Sequence, residues 1–309
     1  MPLPAPGRIV LLALVTGSLA CGSSSAPAEN DPLPASHDLL FDGDTLDGRS
    51  PVFQVRLPSL SPAPLVPALE GHRAVASPDG SRLVVQALGS DVEPPYLTIL
   101  PPGADAPVRF LGTTFSYERE ATWSPDGRRI AFTSDRDDFV SDILVADVTG
   151  TELVNVTNLT LASGAGITDV TPSWSPDGRW IAFTSYRGGD IAIWKMRPDG
   201  SNAVQLTQGE GDDYFPSWSP DGTRIAFQRN GPGTRIVGIV GADGGTPRFL
   251  PIAGRVGNPA WHPVADAIAV IGEQGTELDV RVVTPDGEEL LRVDRPGVDR
   301  HPSWRRRVD

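Results

Sequence analysis

The sequence predicts an all-β protein: a six-bladed β-propeller of four-stranded antiparallel blades, closed by the C-terminal strand joining the N-terminal blade. Three observations carry this. A Trp-Ser-Pro-Asp-Gly segment occurs three times, at Trp123, Trp174 and Trp218. Weaker copies stand at Ala76, Trp261 and Trp304, giving six anchors 43 to 51 residues apart, a spacing typical of propeller repeats. Finally, 33 Gly and 31 Pro accompany a 39% hydrophobic content in 309 residues. Abundant turn formers beside enough apolar residues for a core favour many short strands over long helices.

Each unit has the same order. A short strand ends in Trp-Ser. Pro-Asp-Gly then turns the chain, with Pro presetting φ, Asp capping its own backbone and Gly taking positive φ. The second strand is apolar: Arg82–Gln86, Arg129–Thr133, Trp180–Thr184, Arg224–Gln228. A polar loop leads to a third strand, as in Asp142–Asp147, Asp190–Lys195 and Arg235–Val240. A second turn, such as Pro198-Asp199-Gly200, precedes a short fourth strand, as in Val204–Thr207. Trp304 has only five residues after it, whereas residues 37–75 hold strands with no Trp-Ser start. The two pieces together make one blade, hence six, with seven as the alternative. Closure removes the open edges that a sheet stack would otherwise expose.

These repeats, over residues ~37–309, resemble the WD40-like (PD40) repeat of TolB and prolyl-oligopeptidase propellers, whose signature is Trp-Ser-Pro-Asp-Gly followed by Ile-Ala-Phe;. The resemblance implies a propeller with turn and packing roles for the repeated residues. Propeller peptidases carry their triad on a separate hydrolase domain, and TolB has an additional N-terminal domain. Neither is expected here, so the partner contacts of that N-terminal domain do not transfer.

Residues 1–20 read as a signal peptide: Arg8, then the apolar run Ile9–Val15, then Gly17-Ser18-Leu19-Ala20;. The single cysteine, Cys21, follows at once, as in a bacterial lipoprotein signal with the Leu displaced by one position. Cys21 is therefore the expected lipidation site. Residues 21–36 are the lipidated Cys and a Pro- and Ser-rich flexible tether, and 37–309 the propeller;. The expected location is the periplasm or cell surface, lipid-anchored to the outer membrane, the residue after the cysteine being Gly22. One cysteine excludes a disulfide framework. A net charge of −13 excludes a nucleic-acid partner;.

Functional candidates lie where the repeat varies. Five residues before each anchor stand Glu118, Asp169, Asp213 and Asp299, with Gly71 and Val256 in the other two units. The acids are expected to ring one mouth of the central channel, with Tyr214, Arg300, Tyr117, Arg119, Glu120 and Asp212 beside them. Such a ring would take a basic peptide or a hard cation; otherwise the acids are solvated loop residues or ion pairs with Arg119 and Arg300. His72 and His301 fall at neighbouring repeat positions, and His37 begins the blade that His301 completes, so a histidine cluster is an open alternative to isolated loop histidines. The loop Asp42–Gly48 approaches a calcium loop but has one residue too many and no distal Glu. Gly-x-Ser-x-Gly, His-Glu-x-x-His and phosphate-loop motifs are absent;. The function expected is a non-enzymatic, monomeric, envelope-tethered propeller binding a protein or peptide through one rim, without catalytic residue, metal or cofactor other than a possible calcium. The alternative is a metal-dependent small-molecule lyase or lactonase with its site in the channel.

Overall fold

The computed structural model describes residues 9–10, 33–44, 50–57, 62–65, 71–90, 93–112, 116–137, 140–157, 167–274, 277–293 and 299–307. Cys21, residues 45–48 of the acidic loop, and most of the expected signal and tether lie outside this set. Among the described residues there is no α-helix. The strands form six antiparallel sheets. Blade 1 runs from His72 to Arg109, blade 2 from Glu118 to Asn155, blade 3 from Asp169 to Gln205, blade 4 from Asp212 to Phe249 and blade 5 from Val256 to Val293. Blade 6 has the order expected of a closing blade. Its innermost strand is Asp299–Arg306, followed by His37–Gly43, Val52–Arg56 and Pro62–Pro64. The innermost strands contact one another in a closed ring. Blade 5 departs from four strands, because Ile9–Val10 pairs with its outer strand, Glu289–Val293.

The repeated motif makes the same turn in four blades. In blade 2, the Ser124 hydroxyl donates to Asp126 at 2.6 Å and accepts from the Arg129 N–H at 2.9 Å. The Gly127 N–H donates to the Ser124 carbonyl at 2.9 Å. Equivalent Ser–Asp bonds form at Ser77, Ser175 and Ser219. Gly80 shows why the last residue is glycine: its φ is +75°, and a Cβ would sit 2.0 Å from the Arg306 carbonyl of the closing strand.

The hydrophobic clusters lie between blades rather than within one. Trp123, Ile130 and Phe132 of blade 2 pack with Val84, Leu97 and Phe110. Other clusters join blades 2 and 3, 3 and 4, 4 and 5, 5 and 6, and 6 and 1. The Phe of the second strand, Phe41, Phe132, Phe183 or Phe227, is fully buried. Indole N–H groups fasten one blade to the one before. Trp123 donates to the Val75 carbonyl, Trp218 to Ser173 and Trp304 to Ala260, all near 3.0 Å. The Trp-Ser-Pro segments surround one mouth of the channel as a cavity of about 680 Å³.

Candidate functional site

The predicted acids are not open to the channel mouth. Glu118, Asp169, Asp213 and Asp299 are all buried, at 0–1% exposure. Three meet an arginine of the same blade, just after its second strand in blades 2 and 3 and within that strand in blade 4. Arg136 pairs with Glu118, and Arg187 with Asp169. Arg229 grips Asp213 with two 2.6 Å bonds. The Glu118, Asp169 and Asp213 N–H groups each bond a carbonyl of the preceding blade. The sequence position therefore marks a junction beneath the rim, where a carboxylate must be neutralised because it is desolvated. Burial pushes the Asp169 carboxyl up to about 6 despite the Arg187 guanidinium. Where the acid is replaced, the space is filled by fully buried Val256 or closed by Gly71, whose Cβ would lie 2.6 Å from the Gln86 carbonyl. Arg300 bonds both oxygens of Asp44, at 3.2 and 2.9 Å. Tyr214 sits on the rim with its hydroxyl 3.4 Å from that of Tyr186.

The residues that do ring the channel stand two positions later. Each innermost strand is bulged, and the residue three before the anchor takes a left-handed conformation: Arg73, Glu120, Thr171, Phe215, Asn258 and His301, with φ from 48° to 58°. Among described non-glycine residues only Asn202 shares that conformation. A bulge re-aims a side chain, and these six all line a central cavity of about 180 Å³. The channel is narrow at this level. The Arg73 guanidinium lies 4.8 Å from the centre of the Phe215 ring of blade 4, on the opposite side, and 3.8 Å from Glu120. The sequence signal was the column itself, Arg, Glu, Thr, Phe, Asn, His, which varies freely inside a strict repeat.

The histidines are not isolated in loops but form two pairs. His301 meets His72 rather than His37. Both imidazoles bond the fully buried Asp42 carboxylate through Nδ1, His72 at 2.8 Å and His301 at 2.9 and 3.2 Å. The Arg73 N–H also donates to Asp42, at 2.9 Å. These bonds hold Asp42 well below the usual carboxylate range against the opposing effect of burial. Asp42 belongs to the second strand of blade 6, His37–Gly43. Asp42, His72 and His301 are the group among the described residues that could hold a metal ion.

His37 meets His262 at the other mouth, with ring centres 4.8 Å apart. His262 is fully buried and stands where other turns have Ser, its Nδ1 accepting the N–H groups of Val264 and Ala265. Burial, then the neighbouring His37, lowers its pKa to about 3 from 6.5. The folded state thus holds His262 neutral while the unfolded chain protonates it below about pH 6.5. Stability is full above that pH and declines toward pH 3. Between pH 7 and 4.5 this one group is expected to remove about 2–3 kcal/mol, at ~1.4 kcal/mol per unit. His262→Ser restores the repeat residue and is expected to flatten the acid limb of a melting-temperature–pH profile; an unchanged limb would contradict the assignment.

A family model described as the TolB beta propeller domain (PD40) matches residues 138–307, more than half of the chain. The Tol-Pal system protein TolB of Alcanivorax borkumensis is 40% identical over 68 residues, 22% of this chain and 14% of that protein. An uncharacterised protein of Agrobacterium fabrum is 37% identical over 93 residues, 30% of this chain and 29% of its own length. The matches thus span less than a third of either curated relative. The crystal structure of TolB from Acinetobacter baumannii superposes with a TM-score of 0.72 over 88% of this chain and 67% of that one. At 16% identity that likeness shows the fold alone.

Proposed function

The chain belongs to the TolB beta propeller (PD40) family, and from that premise we propose that it is a non-enzymatic, envelope-tethered propeller that binds a protein or peptide partner through one rim. In this reading residues 1–20 are removed as a signal, Cys21 carries the lipid, 21–36 are a tether and 37–309 the binding domain. The protein then sits in the periplasm or at the cell surface, anchored to the outer membrane. The lipoprotein-like run at Ile9–Cys21 and the partial match to a Tol-Pal system protein support this.

The observation that carries the binding role is an arc of tyrosines on neighbouring blades at one rim. Tyr117 of the blade 2 approach is 48% exposed and Tyr186 of blade 3 is 42% exposed. Tyr214 of blade 4 joins them through the Tyr186 hydroxyl. Exposed aromatic side chains bring large contact area at low entropy cost and dominate many interfaces. The buried, arginine-paired acids beneath them are scaffold. The tyrosines rather than Asp169 or Asp213 are therefore the residues to remove.

The test is capture from envelope extract with wild type and with a variant carrying Tyr117→Ala, Tyr186→Ala and Tyr214→Ala. A specific partner is expected for wild type, with binding weakened about tenfold or more in the variant, since hot-spot truncations each remove more than ~1 kcal/mol. Equal recovery by both proteins, or no specific partner for wild type, would overturn the reading.

A further inference from the structure

We propose that Asp42, His72 and His301 form a binding site for a divalent first-row transition-metal ion at the junction of blades 6 and 1, opening into the channel. This goes beyond partner binding at the rim and uses none of its tyrosines.

The repeat itself supplies the controls. Asp42 ends the sequence Leu39-Leu40-Phe41-Asp42, which aligns with Ile-Ala-Phe-Thr in blades 2 and 3 and with Ile-Ala-Phe-Gln in blade 4. At that position the side chain accepts an N–H from the next blade's bulged residue. Thr133 does so for Thr171 at 3.1 Å and Gln228 for Asn258 at 3.0 Å. Asp42 does so for Arg73 at 2.9 Å. The Thr171 N–H is shared with the Glu120 carboxylate, at 3.1 Å, but Gln228 takes the Asn258 N–H with a neutral side chain, which therefore suffices for the structural bond. Blade 6 instead places a carboxylate there with a fully buried side chain. Burying a charge is unfavourable unless it is specifically compensated, so the structural bond alone does not account for Asp42.

The compensation consists of two histidines that stand at neighbouring columns of the repeat. His72 is four before its anchor and His301 three before its own; the other blades have Arg, Val, Tyr, Gly and Arg, and Arg, Glu, Thr, Phe and Asn, at those two columns. Residues 42, 72 and 301 come together only because the C-terminal strand closes blade 6 against blade 1. One donor atom from each lies within 4.8 Å of the others. Two donors ~2.1 Å from a common zinc ion stand at most ~4.2 Å apart, so only a small inward turn is required. Each imidazole ligates through a ring nitrogen that carries no proton, the proton residing on the other nitrogen.

Two imidazoles and one carboxylate suit zinc, cobalt, nickel or copper, whereas calcium requires six to eight oxygens. The His72 and His301 side chains are 24% and 18% exposed, so an ion can enter from the channel. Three protein ligands leave a further position for water or a ligand donor. The nearby Arg73 guanidinium is directed across the channel to Phe215 and Glu120, which moderates its repulsion of an incoming cation.

The test uses the purified full chain after chelator treatment. Titration with Co²⁺, read by its visible d–d absorption, is expected to show one equivalent bound at micromolar metal. Zn²⁺ is expected to displace it stoichiometrically and millimolar Ca²⁺ to leave it in place. His72→Gln with His301→Gln is expected to weaken binding by about tenfold or more, while His262→Ser at the other mouth leaves it unchanged. Absence of stoichiometric binding, or the wild-type affinity in the double variant, would overturn the proposal. Should the double variant fail to fold, X-ray absorption at the zinc edge of the loaded wild type decides. Two imidazoles per zinc supports the site, and an all-oxygen shell overturns it.

Discussion

Deletion of residues 299–309 is expected to abolish the single cooperative unfolding transition of this propeller. The strand Asp299–Arg306 pairs along its length with His37–Gly43, from His37 opposite Arg306 to Gly43 opposite Asp299. Its loss leaves the inner edge of blade 6 unpaired and breaks the ring of innermost strands at two places, against blade 1 and against blade 5. Trp304 leaves the cluster it shares with Phe41, Val55, Ile271 and Val282. The Ser303 bond to the Ala74 carbonyl and the Arg305 bond to the Gly80 carbonyl go with it. Truncating one buried Trp removes about 3–5 kcal/mol, and domain stabilities are only ~5–15 kcal/mol. An exposed inner edge also invites pairing between chains. Urea unfolding followed by circular dichroism, with size-exclusion chromatography, is expected to show a broad, low-stability transition and oligomers. A truncated monomer unfolding within ~2 kcal/mol of the full chain would show that blade 6 does not depend on this strand. Adding the missing segment as a peptide is expected to restore the sharp transition.

That closure was legible from the sequence because it is an arithmetic of units. A final Pro302-Ser303-Trp304 start with no strands after it and a set of N-terminal strands with no start make one blade. The turn chemistry was legible for a similar reason, since Ser-Pro-Asp-Gly specifies its own hydrogen bonds locally. The channel lining was not. Period-two alternation gives positions five and three before the anchor the same face, and the conspicuous acids sit at five. The bulge between them breaks the alternation, and its left-handed residues, such as Phe215 and Glu120, are types that rarely announce such a conformation. Acid and arginine could have been matched, because Asp135-Arg136 and Tyr186-Arg187 directly follow the second strand in blades that carry the acid. The Asp42–His72–His301 group needed one further step. Asp42 had to be aligned as the fourth residue of an Ile-Ala-Phe-Thr strand rather than as the start of an acidic loop. Nothing local in Asp42-Gly43-Asp44 says so; only the closing strand His301–Trp304 supplies the register.

The arginine beneath the rim is where a single side chain is expected to matter most. Arg187 is nearly buried, its Nε donates to Ser185 at 2.9 Å, and its guanidinium lies 5.0 Å from the Phe183 ring and 5.4 Å from that of Trp194. It provides the charge opposite fully buried Asp169. Arg187→Ala removes the partner and the packing and leaves a buried carboxylate, a change worth about 3–5 kcal/mol when the acid is ionised. The pH dependence distinguishes this from simple loss of contact. The Asp169 pKa is already raised to about 6 from 3.8 by burial. A raised carboxyl contributes relative stability that is full below the unfolded value and is lost as pH rises through the folded one. Without Arg187 the folded value moves higher still, so the penalty of the substitution is expected to be largest above pH 7 and to shrink near pH 5, where Asp169 takes up its proton. Adding Asp169→Asn removes the stranded charge and is expected to recover part of the loss at pH 7.5 and little at pH 5. Urea midpoints of the wild type and the two variants at both pH values measure this. A loss under ~1 kcal/mol at pH 7.5, or a loss independent of pH, would mean that the carboxylate is hydrated and available at the mouth, as the sequence alone suggested. The expected outcome instead separates the two roles at this rim, with the acids and arginines holding blades in place and the tyrosines above them left to meet a partner.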